Sequence, residues 1–277
     1  MRLRYSLHGL RFAIDADDAA AELILHTIMP PCARAGGRRS GKTAVFAVRC
    51  ERGRLRVFRG RKPLWTVTSV AELQPWLESE VVGWLLHRFD PCVQLHAAVA
   101  EHCGRAVIIA GGPDSGKTSL ACALALAGWS VMSDEVALLK PFSSIVASFP
   151  RAMLVKAGTV RRLPELRTIE PMRVALREGE VPVRYVSPAA FGHPPKSAAR
   201  VRTVLFPNWS RTGALSPIGQ REALERLLSA SLNTARHPKV SLDTCVRLVS
   251  TVRLFRLQVR NLRESARLIA EALEAVT

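Results

Sequence analysis

The sequence lacks any apolar run that approaches the ~18 to 20 unbroken residues of a membrane-spanning helix. Its first nine residues, MRLRYSLHG, also lack the apolar centre of a secretory signal peptide. Both absences argue against a helical membrane protein. We therefore expect a cytoplasmic protein with no membrane partner.

Paired cysteines are also missing. The six cysteines are scattered, with no C-x-x-C pair and no nearby Cys/His set at zinc spacing. We expect reduced, mostly buried thiols rather than a metal-thiolate site. The cysteines are Cys32, Cys50, Cys92, Cys103, Cys122 and Cys245.

Lysine is scarce, because only seven are present and arginine supplies nearly all of the formal charge of +17. A basic excess of this size is a pointer to a polyanion. However, the charge is spread along the chain and no known nucleic-acid-reading motif accompanies it. We therefore expect an acidic protein or peptide partner rather than nucleic acid.

Glycine occurs in a sequence pattern that is typical of phosphate-binding loops. The pattern G-x-x-x-x-G-K-[ST] occurs twice, at residues 36–43 and 111–118. In a working phosphate-binding loop, backbone N–H groups surround the phosphates, the lysine reaches the outer phosphates and the Ser/Thr hydroxyl binds Mg²⁺. Such a loop follows a buried strand and begins a helix, because the helix N-terminus supplies unpaired N–H donors.

Local context separates the two matches. Residues 111–118 follow the apolar run 105–110 and precede helix-forming residues 119–127, with Gly128 as the expected end. Residues 36–43 follow two prolines and lead into a strand-like run, so we interpret them as a basic surface loop. The predicted nucleotide-binding residues are Gly111, Gly112, Pro113, Asp114, Ser115, Gly116, Lys117, Thr118 and Ser119.

The pattern of apolar residues divides the chain near Pro91. Residues 1–90 are predicted to form a small mixed α/β module, with strands at 7–14, 43–50, 54–58 and 64–68 and a helix from Asp17 or Asp18 to His26. A longer helix begins at Ser69, and we expect its apolar face, which includes Trp76 and Trp84, to lie against the nucleotide domain. Residues 91–277 form the second predicted domain.

Two adjacent acids follow the next predicted strand, 129–132, after which the sequence continues Ser133-Asp134-Glu135. Ligands of α/β sheets bind beyond the carboxyl ends of the strands, so these acids can face the phosphates. One carboxylate would hold Mg²⁺ and the other would accept the proton of an attacking hydroxyl. Adjacent residues of an extended strand point in opposite directions, so both roles require a local bend. The alternative is that Asp134 binds magnesium and Glu135 is a solvated acid.

His96, Gly104, residues 111–118, Gly128 and the acid pair together resemble the catalytic core of the HPr kinase/phosphorylase family. The resemblance is nearest to the HPr kinase-related proteins of the HPr serine kinase C-terminal domain type, and it covers residues 95–139. A weaker likeness continues in residues 150–156 and 204–207.

This resemblance implies a mixed α/β (α+β) fold with a P-loop core of the phosphoenolpyruvate carboxykinase/HPr kinase type. It also implies ATP, Mg²⁺ and transfer of the γ-phosphoryl group to a serine hydroxyl. Lys117 would contact the outer phosphates, Thr118 and Asp134 would bind the metal, and His96 would lie near the acids. Glu135 would occupy the base position. The hexameric enzymes of the family make a homo-oligomer an open alternative.

The sequence departs from the family pattern at the acid pair, which is usually two aspartates, and this leaves open whether Asp134 or Glu135 is the base. The acidic metal-binding residue of the bifunctional enzymes has no counterpart near Lys156, and their basic, proline-containing loop is missing. The N-terminal region also differs from theirs. The resemblance therefore does not extend to the phosphorylase reaction or to HPr as the substrate.

The remaining segments are interpreted as structural, with helices at 217–232, 242–252 and 262–276 and a strand at 254–259. Our leading hypothesis is an ATP-dependent kinase of a hydroxyl, most simply serine, in a protein or peptide. A nucleotide-binding regulatory protein without phosphoryl transfer is the second. A nucleic-acid-stimulated ATPase is the third.

Overall fold

The computed structural model describes residues 1–35, 44–176 and 179–274. In chain order its elements are β1 (Arg2–Leu7), β2 (Leu10–Asp15), α1 (Asp18–Thr27), β3 (Ala33–Ala35), β4 (Ala44–Glu51), β5 (Arg54–Arg59), β6 (Lys62–Val67), α2 (Val70–Arg88), β7 (Val93–His102), β8 (Arg105–Ala110), α3 (Lys117–Leu126), β9 (Ser130–Ser133), β10 (Val136–Leu139), β11 (Ile145–Ala147), β12 (Met153–Lys156), α4 (Ala157–Arg162), β13 (Met172–Leu176), β14 (Gly179–Val186), β15 (Ala198–Trp209), β16 (Ala214–Pro217), α5 (Gln220–Ser229), α6 (Pro238–Thr251), β17 (Arg253–Val259) and α7 (Leu262–Glu274). The protein is therefore of the mixed α/β class, with several sheets and helices.

The chain divides into two compact units. The first contains Met1–Leu85, Arg151–Ala157 and Leu166–Ser187, and the second contains Leu86–Pro150, Gly158–Glu165 and Pro188–Thr277. The sequence suggested one division near residue 90. The structure instead assigns two later segments to the first unit, and these segments supply β12, β13 and β14.

The first unit contains a six-stranded sheet in the order β3-β1-β2-β4-β5-β6, in which only β2 and β4 are parallel. The single strand predicted over residues 7–14 is wrong. The chain instead turns at His8 and Gly9, which have φ angles of 46° and 82°, so β1 and β2 form a hairpin. Glycine at the second position suits this left-handed backbone. The predicted helix to His26 and the predicted strands of β5 and β6 are confirmed.

Helix α2 packs on this sheet through Trp84, whose ring centroid lies 5.6 Å from that of Phe12 and 6.0 Å from that of Phe46. The prediction that Trp76 shares the buried face is wrong, because Trp76 is 57% exposed and contacts Trp65 instead. An exposed tryptophan at helical spacing cannot be distinguished from a core residue by periodicity alone. The apolar face of α2 therefore contacts its own unit.

The second unit is built on a sheet in the order β11-β10-β7-β8-β15-β17-β16, and β9 also pairs with β7. β15 is parallel to both β8 and β17, whereas β7 is antiparallel to β8. A second pairing of β11 with β15 closes five strands into a ring. Leu227 of α5 and Leu248 of α6 belong to the same buried cluster as Leu95, Ile108 and Val204. The predicted C-terminal helices and strand are confirmed as α5, α6, α7 and β17.

Candidate functional site

The glycine loop (residues 111–118) connects the end of β8 to the start of α3, which begins at Lys117. Gly116 has a φ of +100°, and a Cβ atom there would lie 3.3 Å from the Trp209 ring. At Gly111 a Cβ atom would lie 2.6 Å from Ser115 Oγ. Gly116 therefore requires glycine for its backbone angle, whereas a Cβ atom at Gly111 would displace the Ser115 hydroxyl. The loop has the strand-before, helix-after context that its sequence predicted.

Lys117 folds back onto the loop. Its Nζ donates hydrogen bonds to the carbonyl oxygens of Gly111 and Gly112, at 2.8 Å each, and the residue is 7% exposed. Burial lowers the pKa of Lys117 below its usual value, and the charges of Glu135, Asp134 and Asp114 act in the opposite direction. The two acids of the predicted pair are thus close enough to Lys117 to act on its charge.

The acid pair lies between two successive strands on the same side of β7. β9 and β10 both pair antiparallel with β7, but they are separated by Asp134 and Glu135. Ser133 Oγ accepts hydrogen bonds from the backbone N–H groups of Glu135, at 3.3 Å, and Val136, at 3.0 Å. This hydroxyl stabilises a local bend at the acid pair.

The two acids have different surroundings at this bend. Asp134 is 3% exposed, and its Oδ2 accepts a hydrogen bond from Thr118 Oγ1 at 3.5 Å. Glu135 is half-buried, and its backbone carbonyl oxygen accepts a hydrogen bond from the Ala97 N–H at 3.0 Å. Asp134 is therefore the acid that contacts the first turn of α3.

Sheet topology explains why the loop and the acids meet. β8 and β9 are both antiparallel to β7, so they run in the same direction on its two sides. Their carboxyl ends, Ala110 and Ser133, pair with Ala97 and Val99 of the central strand. Ligands bind at such carboxyl ends. The order of the motifs along the chain does not reveal that β7 lies between β8 and β9.

His96 lies one residue before this point on β7 and pairs in register with Val136. Its backbone N–H donates to the carbonyl oxygen of Ala230 at 2.7 Å, and the residue lines a cavity beside the glycine loop. The structure therefore brings His96 to the same sheet edge as the acids. Ser119 is also predicted to bind the nucleotide. Its hydroxyl is hydrogen-bonded to Thr159 Oγ1 of α4 at 2.7 Å and therefore faces that helix.

Trp209 is a residue of the site that sequence reasoning missed. It ends β15, which is parallel to β8, so both strands end at the same edge. Its Nε1 donates a hydrogen bond to the Asp114 carbonyl oxygen at 3.2 Å. The Arg162 guanidinium lies 4.6 Å from the centre of its ring. Only the pairing of two strands that are distant in sequence reveals this contact.

The described parts of the chain contain no group of three or more His, Cys, Asp or Glu residues that could hold a metal ion. The oxygen pair of Thr118 and Asp134 is nevertheless of the kind that binds Mg²⁺, which usually keeps several water or phosphate ligands besides one or two from the protein. No helix among the described residues is long and apolar enough to cross a membrane.

Two other sequence features lie elsewhere. The first pattern match, residues 36–43 with Lys42, lies outside the described residues. Arg151 and Lys156 belong to the first unit, where Arg151 pairs with Glu78 at 3.2 Å.

Comparisons with known proteins give little further information. No protein-family model matches the chain, and no curated protein matches it. Among solved structures, the chain is similar to the Hpr(Ser) kinase/phosphatase from Coxiella burnetii, with 13% sequence identity and a TM-score of 0.33. The match covers 66% of this chain and 99% of that chain. At this TM-score, we infer neither fold nor activity from the likeness.

Proposed function

We propose that the chain is an ATP-dependent kinase that transfers the γ-phosphoryl group to a hydroxyl, with serine of a protein or peptide as the expected acceptor. The observation that carries this proposal is the convergence of Lys117, Thr118, Asp134 and Glu135 at one sheet edge. The glycine loop and the start of α3 would bind the phosphates through backbone N–H groups.

Lys117 and the Thr118–Asp134 pair would neutralise phosphate charge. Lys117 is bonded to two loop carbonyl oxygens, so it would exchange these bonds for bonds to the outer phosphates. Thr118 Oγ1 and Asp134 Oδ2 would hold Mg²⁺, which supplies charge neutralisation when bound. The remaining contribution of the protein is to position the reacting groups.

Glu135 is the base in this proposal. The acceptor oxygen forms a bond to the γ-phosphorus, the bond from that phosphorus to the β–γ bridging oxygen breaks, and ADP leaves. The hydroxyl proton passes to the Glu135 carboxylate. We assign this role to Glu135 because Asp134 is buried against Thr118, whereas Glu135 is half-buried.

A second candidate function is a nucleotide-dependent regulatory protein without transfer. In that case the nucleotide would bind and the acid variants would have no phenotype beyond binding.

The test compares wild type with Lys117→Met, Glu135→Gln and Asp134→Asn, using Glu271→Gln at an exposed position of α7 as the matched control acid. ATP affinity is measured by calorimetry with Mg²⁺. Transfer is measured from γ-labelled ATP to a pool of serine peptides. We expect Lys117→Met to lose affinity, and Glu135→Gln to keep affinity while losing about 100-fold or more of the transfer rate.

Three results would distinguish the proposed kinase from its alternatives. If wild type fails to bind ATP, or if Lys117→Met binds like wild type, the proposed function is wrong. Normal transfer by Glu135→Gln together with loss in Asp134→Asn would move the base role to Asp134. Binding without transfer to any acceptor, including water, would favour the regulatory function.

A further inference from the structure

A cavity of about 550 Å³ lies beside the first half of the glycine loop. One wall is formed by the loop and the adjacent strand β15, and the other by the end of α5 and the segment that follows it. The lining residues are His96, Gly111, Gly112, Pro113, Phe206, Glu225, Arg226, Ser229, Ala230, Ser231 and Leu232. All belong to the second unit.

The cavity adjoins the glycine loop at the sheet edge that carries His96, and neither Asp134 nor Glu135 is among its lining residues. It is lined by the first three loop residues and includes neither Lys117 nor Thr118 at the start of α3. His96, which lines it, is the register partner of Val136, the residue that follows the acid pair. In-line transfer places acceptor and leaving group on opposite sides of the γ-phosphate. An acceptor therefore needs a site beside the bound phosphates, and this cavity adjoins the loop that is proposed to bind them.

The charge of the cavity wall is largely compensated. Its two ionised side chains, Glu225 and Arg226, pair with Arg221, at 3.1 Å, and Glu222, at 2.9 Å. The Arg226 guanidinium also lies 5.5 Å from the Phe206 ring centre. Most of the remaining wall is apolar. A strongly charged ligand would therefore find little compensation there.

Ser231 adds one polar group to this wall. Its Oγ is buried and has no hydrogen-bond partner within the part of the chain that the structure describes. Buried polar atoms are normally hydrogen-bonded, and ligand cavities typically combine apolar walls with a few polar groups that orient the ligand. Ser231 Oγ is therefore placed to form a hydrogen bond with a hydroxyl or amide group of the bound molecule.

We propose that this cavity binds the group that carries the acceptor hydroxyl, and that this group is uncharged with a mostly apolar body. The volume is in the range of small-molecule sites, so it accommodates a compact molecule or a short peptide segment. This inference rests on the proposed function and specifies its acceptor. It concerns only the hydroxyl-bearing group, so an acidic region elsewhere on a protein partner is compatible with it.

A cavity-filling variant tests the proposal, and the chain offers a matched control. Ser229 ends α5, is exposed, and its Oγ donates to the Glu225 carbonyl oxygen at 2.8 Å. Ser250, near the end of α6, is also exposed, and its Oγ donates to the Arg247 carbonyl oxygen at 2.9 Å. Ser229→Trp fills the cavity, whereas Ser250→Trp makes the same change outside it. Thermal unfolding verifies that both variants fold.

The probes are γ-labelled ATP and two forms of the acceptor chemistry. One is free N-acetylserine methylamide, and the other is a set of serine peptides with apolar, acidic or basic flanking residues. We expect wild type to prefer the apolar-flanked peptides or the free amide. Ser229→Trp should raise the KM for the preferred acceptor by about tenfold or more while ATP affinity stays within about twofold. Ser250→Trp should match wild type.

Ser231→Ala provides a second variant that removes only the hydroxyl. We expect it to raise the acceptor KM by about fivefold, because a buried hydrogen bond to the ligand is lost, with no change in ATP affinity. Weakened ATP binding in Ser229→Trp would mean that the nucleotide base occupies the cavity and would overturn the proposal. Preference for charged peptides, no transfer to the neutral probes, or normal kinetics in Ser229→Trp would also overturn it. Failure of the proposed function can be told apart from failure of this inference. In the first case wild type would not bind ATP, or its ATP affinity would not depend on Lys117.

Discussion

The indole N–H of Trp209 donates a hydrogen bond to the carbonyl oxygen of Asp114 at 3.2 Å. Asp114 is in the left-handed region, with φ of 56°, which costs free energy for a residue other than glycine. The same ring lies against Gly116. Trp209 therefore stabilises both the strained residue of the glycine loop and the turn into α3. We infer from these contacts that Trp209 positions the loop.

We predict that Trp209→Phe weakens ATP binding by about five- to tenfold, because it keeps an aromatic ring and removes the hydrogen bond. Trp209→Ala should weaken binding further, since it also removes the ring from Gly116. The measurement is calorimetric titration with ATP and Mg²⁺. Trp76→Phe, at an exposed tryptophan of the first unit, is the control. Equal affinity in Trp209→Ala and wild type would refute the positioning role.

Gly116→Ala tests the backbone requirement of the same loop. The φ of +100° disfavours any side chain, and the added Cβ would lie 3.3 Å from the Trp209 ring. We expect ATP binding to fall by about 100-fold or more, with the far-UV circular dichroism spectrum retained. Gly83→Ala in α2 is the matched control, because nothing lies within 4 Å of its Cβ position. It should leave binding unchanged and stabilise the helix slightly.

The glycine loop could be predicted from sequence because its signals are local. A strand, a glycine-rich loop and a helix start follow one another within residues 105–126. The acids could be found for the same reason, since β9 follows α3 directly. Helix and strand assignments in the C-terminal third also follow from local periodicity.

The remaining site residues depend on long-range pairing. Trp209 reaches the loop only because β15 pairs with β8, and Ser231 reaches the cavity only because it forms a bridge to Leu95 of β7. No periodicity reports these contacts. The return of residues 166–187 to the first unit is likewise a property of the three-stranded sheet, in which β14 pairs with both β12 and β13. Roles of the individual site residues remain predictions.

The first unit contains a buried ionic network that we expect to determine its stability. Glu78 Oε1 pairs with Arg151 Nε at 3.2 Å, and Glu78 Oε2 accepts a hydrogen bond from Gln74 Nε2 at 3.1 Å. The Tyr185 hydroxyl donates to Gln74 Oε1. The network therefore links α2 to segments far along the chain.

We predict that Glu78→Ala destabilises the protein by about 3 kcal/mol, because it leaves the Arg151 guanidinium buried without its carboxylate partner. The double variant Glu78→Ala, Arg151→Met should lose less than the sum of the two single changes. Urea denaturation followed by circular dichroism measures these free energies. Glu274→Ala at the exposed end of α7 is the control acid. Additive effects would show that the two residues are not coupled.

The two tyrosines, Tyr5 and Tyr185, should determine part of the dependence of stability on pH above pH 10. Burial raises the pKa of both hydroxyls well above their usual value, and the Glu78 carboxylate raises that of Tyr185 further. A raised folded-state pKa means that the native state keeps its proton. Stability is therefore fully present below the unfolded pKa of about 10 and falls as the pH rises above it.

The measurement is tyrosinate absorbance near 295 nm. We expect little increase in the native protein up to about pH 11, and a titration near pH 10 once the chain is unfolded in guanidinium chloride. Tyr185→Phe should reduce the loss of stability above pH 10. A native titration that coincides with the unfolded one would contradict burial of these hydroxyls.

Thiol reactivity gives an independent test of the core that supports the site. Cys122 of α3 and Cys245 of α6 are buried, and burial raises the pKa of Cys245 to about 11 and that of Cys122 higher still. Cys50 and Cys103 are exposed and Cys32 and Cys92 are partly exposed, so the expectation of mostly buried thiols is wrong. Alkylation requires the thiolate and access to it, so iodoacetamide at pH 8 should modify the exposed pair first. Peptide mass spectrometry identifies the sites.

Cys122 and Cys245 should react only at the rate of unfolding, and full reactivity in guanidinium chloride is the control. Rapid native labelling of Cys122 would show that α3 is not packed as described, and the position of the glycine loop that precedes it would then be wrong as well.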